Sequence, residues 1–431
     1  MKICMFTNTY IPHVGGVARS VSCFAEDLRK LGHQVLVIAP TFAGIPGDEN
    51  PEQVLRVPAI RNFNGSDFSA SIPAPFLINQ KIDAFKPEVI HSHHPYLLGD
   101  AAMRAGRRRN LPVIFTHHTR YEEYTHYVMS SKVMQKFVIN LATAYANGCT
   151  WVIAPSRSIA ELIKARGVRV PVAEIPTGVD CDRFKSGDGK RFREKAGLEQ
   201  TVPLIGHVGR LAPEKNLGFL AGAVKIYLRQ NQRAKFLVVG DGPSAGWLKK
   251  SFAEDRLADR LVMTGKKTGA ELVDAYCAMD LFVFSSHSET QGLVVAEAMA
   301  AGCPVVALNA SGVREVVTDH HNGRLLPADA PPESFAAAIA DFFSNSEAAG
   351  WWRQNALATA GKFDRMKMAG ELADLYQVAG QKKLKSTHEY KHFFDNWENL
   401  LNGIKTEWEM LSSKVGVIAD TFSADETRSR R

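Results

Sequence analysis

Apolar runs of four to six residues recur along the chain, each ending at or near Gly, Pro, Asn, Thr or Ser and followed by a longer stretch of helical periodicity. In the first half they fall at 2–7 (KICMFT), 34–39 (QVLVIA), 89–92 (VIHS), 113–116 (VIFT) and 151–154 (WVIA). A second series occupies 203–208 (PLIGHV), 235–239 (KFLVV), 261–264 (LVMT), 281–284 (LFVF) and 304–307 (PVVA). Near-continuous apolar strands alternating with helices predict α/β architecture with parallel sheets covered on both faces. The segment 175–180 (IPTGVD) and the polar stretch 185–195 separate the two series. The expectation is two Rossmann-like, doubly wound domains over 1–180 and 181–380, joined by a linker, with a ligand cleft at the carboxyl ends of their strands.

After Pro331 the pattern turns helical, with Phe335, Ile339, Phe342 and Phe343 on one stripe, and a further helix is expected over about 365–378. Residues 381–431 form an aromatic-rich extension in which Phe393, Trp397, Leu400, Leu401, Ile404, Trp408 and Leu411 recur at helical spacing. With 9 basic and 8 acidic residues it is nearly neutral, so its apolar face is expected to pack on the protein itself rather than on a membrane. The stretch from 420 onward reads as disordered.

Composition narrows the class. At 431 residues, 45% hydrophobic and 23% charged, the chain is too apolar for a disordered protein and too long for one hydrophobic core. Six scattered cysteines without Cys-x-x-Cys spacing read as reduced, intracellular thiols. No apolar run reaches the roughly 18–20 residues that span a bilayer, which disfavours transmembrane insertion, and the N-terminus lacks a secretory pattern. The formal net charge is +7, and residues 1–180 hold 19 basic against 14 acidic side chains, including the run Arg104, Arg107, Arg108 and Arg109. Attraction to an anionic partner is therefore expected in the first domain. No nucleic-acid motif accompanies the arginines, so nucleic acid is not the expected partner.

Candidate chemistry lies at strand ends. The first strand runs through 8–16 (NTYIPHVGG) into a helix near Val17, and adjacent glycines at such a turn let backbone N–H groups approach a phosphate at a helix N-terminus. The spacing is not the G-x-G-x-x-G fingerprint, and tight backbone geometry alone also explains the glycines. In 208–216 (VGRLAPEKN), Arg210 and Lys215 could hold a diphosphate or simply pair with acids such as Glu214. The most informative segment is 285–307 (SSHSETQGLVVAEAMAAGCPVVA). Glu289 precedes Gly292 in a loop, and Glu297 follows on an apolar helix where an unpartnered carboxylate would be costly. Two carboxylates at this spacing can accept hydrogen bonds from two separate diols of one nucleotide sugar.

This segment resembles the E-x7-E motif of retaining family-4 glycosyltransferases with the GT-B fold, and IPTGVD, VGRLAPEKN, VVGDGP and the Gly15-Gly16 loop resemble other landmarks of that family in order. The resemblance covers roughly residues 1–380. It implies that Glu297 binds the ribose hydroxyls, Glu289 the donor sugar, and Arg210 and Lys215 the diphosphate. Gly16 and the amides of Gly292 and Leu293 would add backbone donors, and His118, in 116–127 (THHTRYEEYTHY), would be the active-site histidine beside donor and acceptor. No obligatory metal and no other cofactor is implied, the departing diphosphate being stabilised by cations and helix dipoles. A metal site built from His91, His93, His94, His117 and His118 is the minor alternative, because the nearest acids, Asp100, Glu122 and Glu123, lie in helix-like segments.

SETQGL together with HHTRYEEYTHY looks specifically like bacterial α-monoglucosyldiacylglycerol synthases and related lipid glucosyltransferases. Tyr121, Tyr124 and Tyr127 would then line the site for a lipid headgroup, and with the arginine run would turn the first domain toward an anionic membrane surface. The resulting expectation is a cytoplasmic, peripheral membrane enzyme moving a hexose, glucose from UDP-glucose, to a diacylglycerol-type lipid. A family-4 enzyme acting on a soluble acceptor and a non-catalytic nucleotide-sugar-binding scaffold are the competing readings. Oligomeric state is left open.

Overall fold

The computed structural model describes residues 1–381 apart from 14, 46–48, 61–68, 73 and 123–131. The first domain begins with β1 (Lys2–Phe6), α1 (Gly16–Lys30), β2 (Gln34–Pro40) and β3 (Val54–Val57), and a short antiparallel pair, β4 (Ala59–Ile60) and β5 (Ala70–Ser71), follows. The chain continues through α2 (Pro75–Phe85), β6 (Val89–Ser92), α3 (Leu98–Arg109), β7 (Val113–Thr116), α4 (Lys132–Asn147), β8 (Trp151–Ala154), α5 (Arg157–Ala165) and β9 (Val172–Glu174). Seven of these strands form one parallel sheet in the order β3-β2-β1-β6-β7-β8-β9.

Two short helices, α6 (Cys181–Lys185) and α7 (Gly189–Lys195), lead into the second domain. It contains β10 (Leu204–Val208), α8 (Leu217–Gln230), β11 (Lys235–Val239), α9 (Ala245–Glu254), β12 (Leu261–Met263), α10 (Gly269–Ala278), β13 (Leu281–Phe284), α11 (Leu293–Ala300), β14 (Val305–Leu308), α12 (Val313–Val316) and β15 (Gly323–Leu326). Its parallel sheet has the order β12-β11-β10-β13-β14-β15. The helices α13 (Pro332–Ser344), α14 (Ser346–Gly361) and α15 (Arg365–Gln381) complete the described chain. Among the described residues no helix is long and apolar enough to cross a membrane.

The polar stretch 185–195 is more than a connector. Phe184 and Phe192 are buried in the core of the second domain, and Asp274 on α10 accepts the Asp188 amide at 2.8 Å and pairs with Arg191. Nor does α15 stay with the second domain, where the sequence pattern places it. Met368, Leu372 and Tyr376 pack into the first domain's core with Ile3, Val21 and Leu28. Arg365 anchors the helix, its Nε 2.6 Å from Asp27 Oδ2 and its Nη2 3.0 Å from Glu26 on α1. The chain therefore crosses between domains twice, side by side: the Val179 amide donates to Phe363 O at 2.7 Å and the Arg365 amide to Val179 O at 3.2 Å. Gly178 permits this approach, since a Cβ there would stand 2.2 Å from Arg365 Cα. From residue 382 onward the expected aromatic extension lies outside the described residues.

In both sheets the strand order reverses beside the first strand, between β1 and β6 and between β10 and β13. Loops leave such a switch point toward opposite faces and open a crevice at the carboxyl ends of the strands.

Candidate active site

The two crevices meet in one cavity of about 200 Å³, lined by Gly16 and His118 from the first domain and by Lys215, Glu289, Gly292 and Leu293 from the second. Gly16 opens α1, and its missing Cβ faces open space. Gly292 caps α11 with φ +74°, which turns the loop from β13 sharply enough to aim the helix N-terminus at the cavity. The loop is held from the first domain: Ser156 Oγ donates to Thr290 O at 2.7 Å, Thr290 Oγ1 donates to His118 O at 2.9 Å, and Gln291 exchanges two hydrogen bonds with the Thr177 backbone.

Lys215 ends a tight 3-10 turn that Ser285 Oγ ties to β13 by donating to the Lys215 and Asn216 carbonyls. Its ammonium lies 2.6 Å from Glu289 Oε1. Burial pushes the Glu289 carboxyl up, but the Lys215 charge and hydrogen bond, with a further bond from Ser286, hold it below the usual carboxylate range. Arg210 is exposed just beyond β10 and is absent from the cavity lining. The loop of VVGDGP packs against this turn rather than into the cavity, a Cβ on Gly242 standing 2.4 Å from Leu211 O.

Glu297 is buried on α11, one turn beyond the cavity wall. Tyr276 donates its hydroxyl to Oε2 at 2.8 Å. Arg19 Nη1 lies 2.7 Å from Oε1, so the carboxylate is held between a guanidinium and a phenol. Arg19 belongs to α1, so this pair spans the two domains. Glu297 raises the Arg19 guanidinium above its ordinary value. Sequence reasoning missed Arg19. Its one available signal is its place in the first turn of the helix that follows the glycine loop.

His118 is half-buried at the end of β7, with Nε2 2.9 Å from His93 Nδ1. His91 lies beneath, bonded through Nδ1 to Tyr376 Oη and through Nε2 to Thr116 Oγ1, both at 2.7 Å. Burial lowers these imidazoles, His91 and His94 to about 3 and His93 and His118 well below their ordinary value, so all are neutral at pH 7. His91 spends both ring nitrogens on side chains and His94 accepts the Asn8 amide, and among the described residues no metal-ligating cluster forms.

Tyr121 does not line the cleft. It is buried, packed edge-on against Tyr96 and His117, and burial pushes its hydroxyl well up. Tyr124 and Tyr127 lie outside the described residues. Arg107, Arg108 and Arg109 occupy the last turn of α3, with Arg104 a turn earlier; the helix runs back from the cleft to the amino edge of the sheet, and there Arg109 pairs with Asp83 of α2 at 2.7 Å. Cations at that end complement the helix dipole.

Two facing Rossmann-like domains, the second with carboxylates and a lysine at its switch point, have the architecture of a GT-B glycosyltransferase. Residues 14–183 match the family model "Glycosyltransferase Family 4", and residues 188–359 match "Glycosyl transferases group 1". A GDP-mannose-dependent alpha-mannosyltransferase from Mycobacterium tuberculosis is 31% identical over 336 residues, 76% of this chain and 84% of the relative. The chain belongs to family 4 of the glycosyltransferases. An alpha-monoglucosyldiacylglycerol synthase from Streptococcus pneumoniae is 29% identical over 331 residues, 75% of each chain. The crystal structure of Anabaena HepE in complex with UDP shares the fold with a TM-score of 0.71 at 22% identity, covering 88% of this chain and 100% of that one.

Proposed function

We propose that this glycosyltransferase moves glucose from UDP-glucose, with retention of anomeric configuration, to a diacylglycerol-type lipid at an anionic membrane surface. The observation that carries the donor site is the buried Glu297 carboxylate, held by Arg19 and Tyr276 one turn beyond a cavity that the Lys215–Glu289 pair lines. A ribose hydroxyl donates to one of the carboxylate's remaining lone pairs. Lys215 and the amides of Gly292 and Leu293 at the α11 N-terminus then stand where a β-phosphate acquires charge on departure. Glu289, held ionised by Lys215, accepts from sugar hydroxyls and positions the ring rather than attacking it. His118 contacts the sugar from the opposite wall, and Arg210 serves the diphosphate only by swinging in from its exposed position.

For the acceptor, support comes from the name of the pneumococcal relative and from exposed apolar side chains of the first domain. Ile60 in β4, Ile72 just after β5, and Phe76 and Leu77 in the first turn of α2 are exposed, Phe76 by 82%. The mycobacterial relative's name favours a second reading, mannose from GDP-mannose. Thermal shift with UDP, GDP and their sugars, followed by turnover on diacylglycerol vesicles and on soluble acceptors, separates the readings. The expected result is stabilisation by UDP-glucose and glucosylation of vesicle diacylglycerol. Stabilisation by the GDP sugar alone, or transfer only to soluble acceptors, overturns it.

A further inference from the structure

We propose that His93 is a positioning residue that fixes the tautomer of His118, so that His118 presents an N–H rather than a lone pair to the cleft; this rests on the reading that the cleft holds the donor sugar. His93 is fully buried at the end of β6. Its Nδ1 shares one proton with His118 Nε2 across 2.9 Å, and its Nε2 is buried with no partner. Two arrangements are open to a neutral pair. If His118 donates from Nε2, His93 must carry its own proton on Nε2, as a buried N–H with no acceptor. If His93 donates from Nδ1, the orphan is a bare lone pair. Unmet acceptors are tolerated in protein interiors more readily than unmet N–H groups. The second arrangement wins, and it places the His118 proton on Nδ1.

A third, charged arrangement is closed by the surroundings. The His91 ring lies 4.1 Å from that of His93, centroid to centroid, and no carboxylate contributes to the electrostatics of His93. Both nitrogens of His91 are committed, to Tyr376 on α15 and to Thr116 on β7, which leaves His91 as a fixed wall that holds the His93 ring in place. Nε2 of His118 is taken by His93 and the residue lines the cavity, so Nδ1 is the ring nitrogen left for a ligand. His118 therefore acts on a sugar hydroxyl as a neutral donor, with no proton withdrawn from the substrate.

Histidine-labelled 15N NMR on the full-length, ligand-free protein reads the tautomer directly, whatever the enzyme's substrate. The expected spectrum shows His118 protonated on Nδ1 across pH 6–8, about the range spanning the ordinary histidine value; protonation on Nε2 overturns the proposal. His93→Asn retains a side-chain N–H donor and should keep both the tautomer and turnover. His93→Leu fills the space without a donor; it should let the His118 proton redistribute and lower kcat about tenfold, the worth of one neutral hydrogen bond in the transition state. KM for the nucleotide sugar should hold while kcat falls. Unchanged kcat and an unchanged His118 tautomer in His93→Leu overturn the positioning role. Should that variant not fold, the wild-type tautomer and the turnover of His93→Asn decide. Absence of turnover with every UDP and GDP sugar counts against the functional reading alone.

Discussion

At the scale of single residues, the Lys215–Glu289 pair sets the chemistry of the cavity, because the lysine holds the buried carboxylate ionised. With Lys215 present, Glu289 stays ionised below the usual carboxylate range despite its burial. Lys215→Met removes the cation that meets the departing phosphate and leaves burial as the dominant influence on Glu289, whose carboxyl then rises. Turnover should fall by about 10²–10³, and the residual activity should acquire an acid limb near or above the ordinary carboxylate value, since activity needs the ionised form and protonation begins earlier. Lys215→Arg should recover part of the rate. A pH–rate profile of both variants tests this; a variant with unchanged rate and profile removes Lys215 from the site. The E-x7-E spacing made Glu289 and Glu297 legible in the sequence because both acids sit on one loop–helix unit. Arg19 was not, because its meeting with Glu297 depends on how two domains 278 positions apart in the chain face each other.

At the scale of elements, what could be read from the chain followed burial. Nine of the ten apolar runs became inner strands, whose residues are almost all buried, while the run at 261–264 became the partly buried edge strand β12. The strands β3, β9 and β15 escaped notice because each lies at a sheet edge and is only partly buried, so its apolar run is short and interrupted. The helix α15 was foreseen as a helix but not in its place: an amphipathic stripe shows that a helix packs, never on what. Its address is written in Arg365, which is 12% exposed at its side chain and meets the nearly inaccessible Asp27. Arg365→Met should destabilise the protein by about 3 kcal/mol, because it strands a buried carboxylate. Chemical denaturation measures the loss, and a change under about 1 kcal/mol would show that Lys30, 3.5 Å from the same carboxylate, compensates.

At the scale of the whole molecule, the question is which end of the first domain meets a lipid surface. The charge count pointed to the arginine run, yet α3 carries those residues to the amino edge of the sheet, away from the cleft, and Arg109 is engaged by Asp83. Helix α2 runs the same way, its last turn beside Lys2 at the start of β1, so its first turn and the exposed Phe76 lie toward the carboxyl edge where the cavity opens. An acceptor embedded in a bilayer must reach the cavity from that side. Burying one phenylalanine in the interface is worth about 1.5–3 kcal/mol at most, so Phe76→Ser should weaken binding to vesicles of anionic lipid by about tenfold. Arg108→Ala, on the opposite edge, should change it by less than about twofold. Turnover of diacylglycerol in vesicles should fall with the binding in Phe76→Ser, while UDP-glucose affinity should hold. The reverse ranking, with Arg108 decisive and Phe76 neutral, would mean that the membrane meets the amino edge, and the lipid would then have to leave the bilayer before reaching His118.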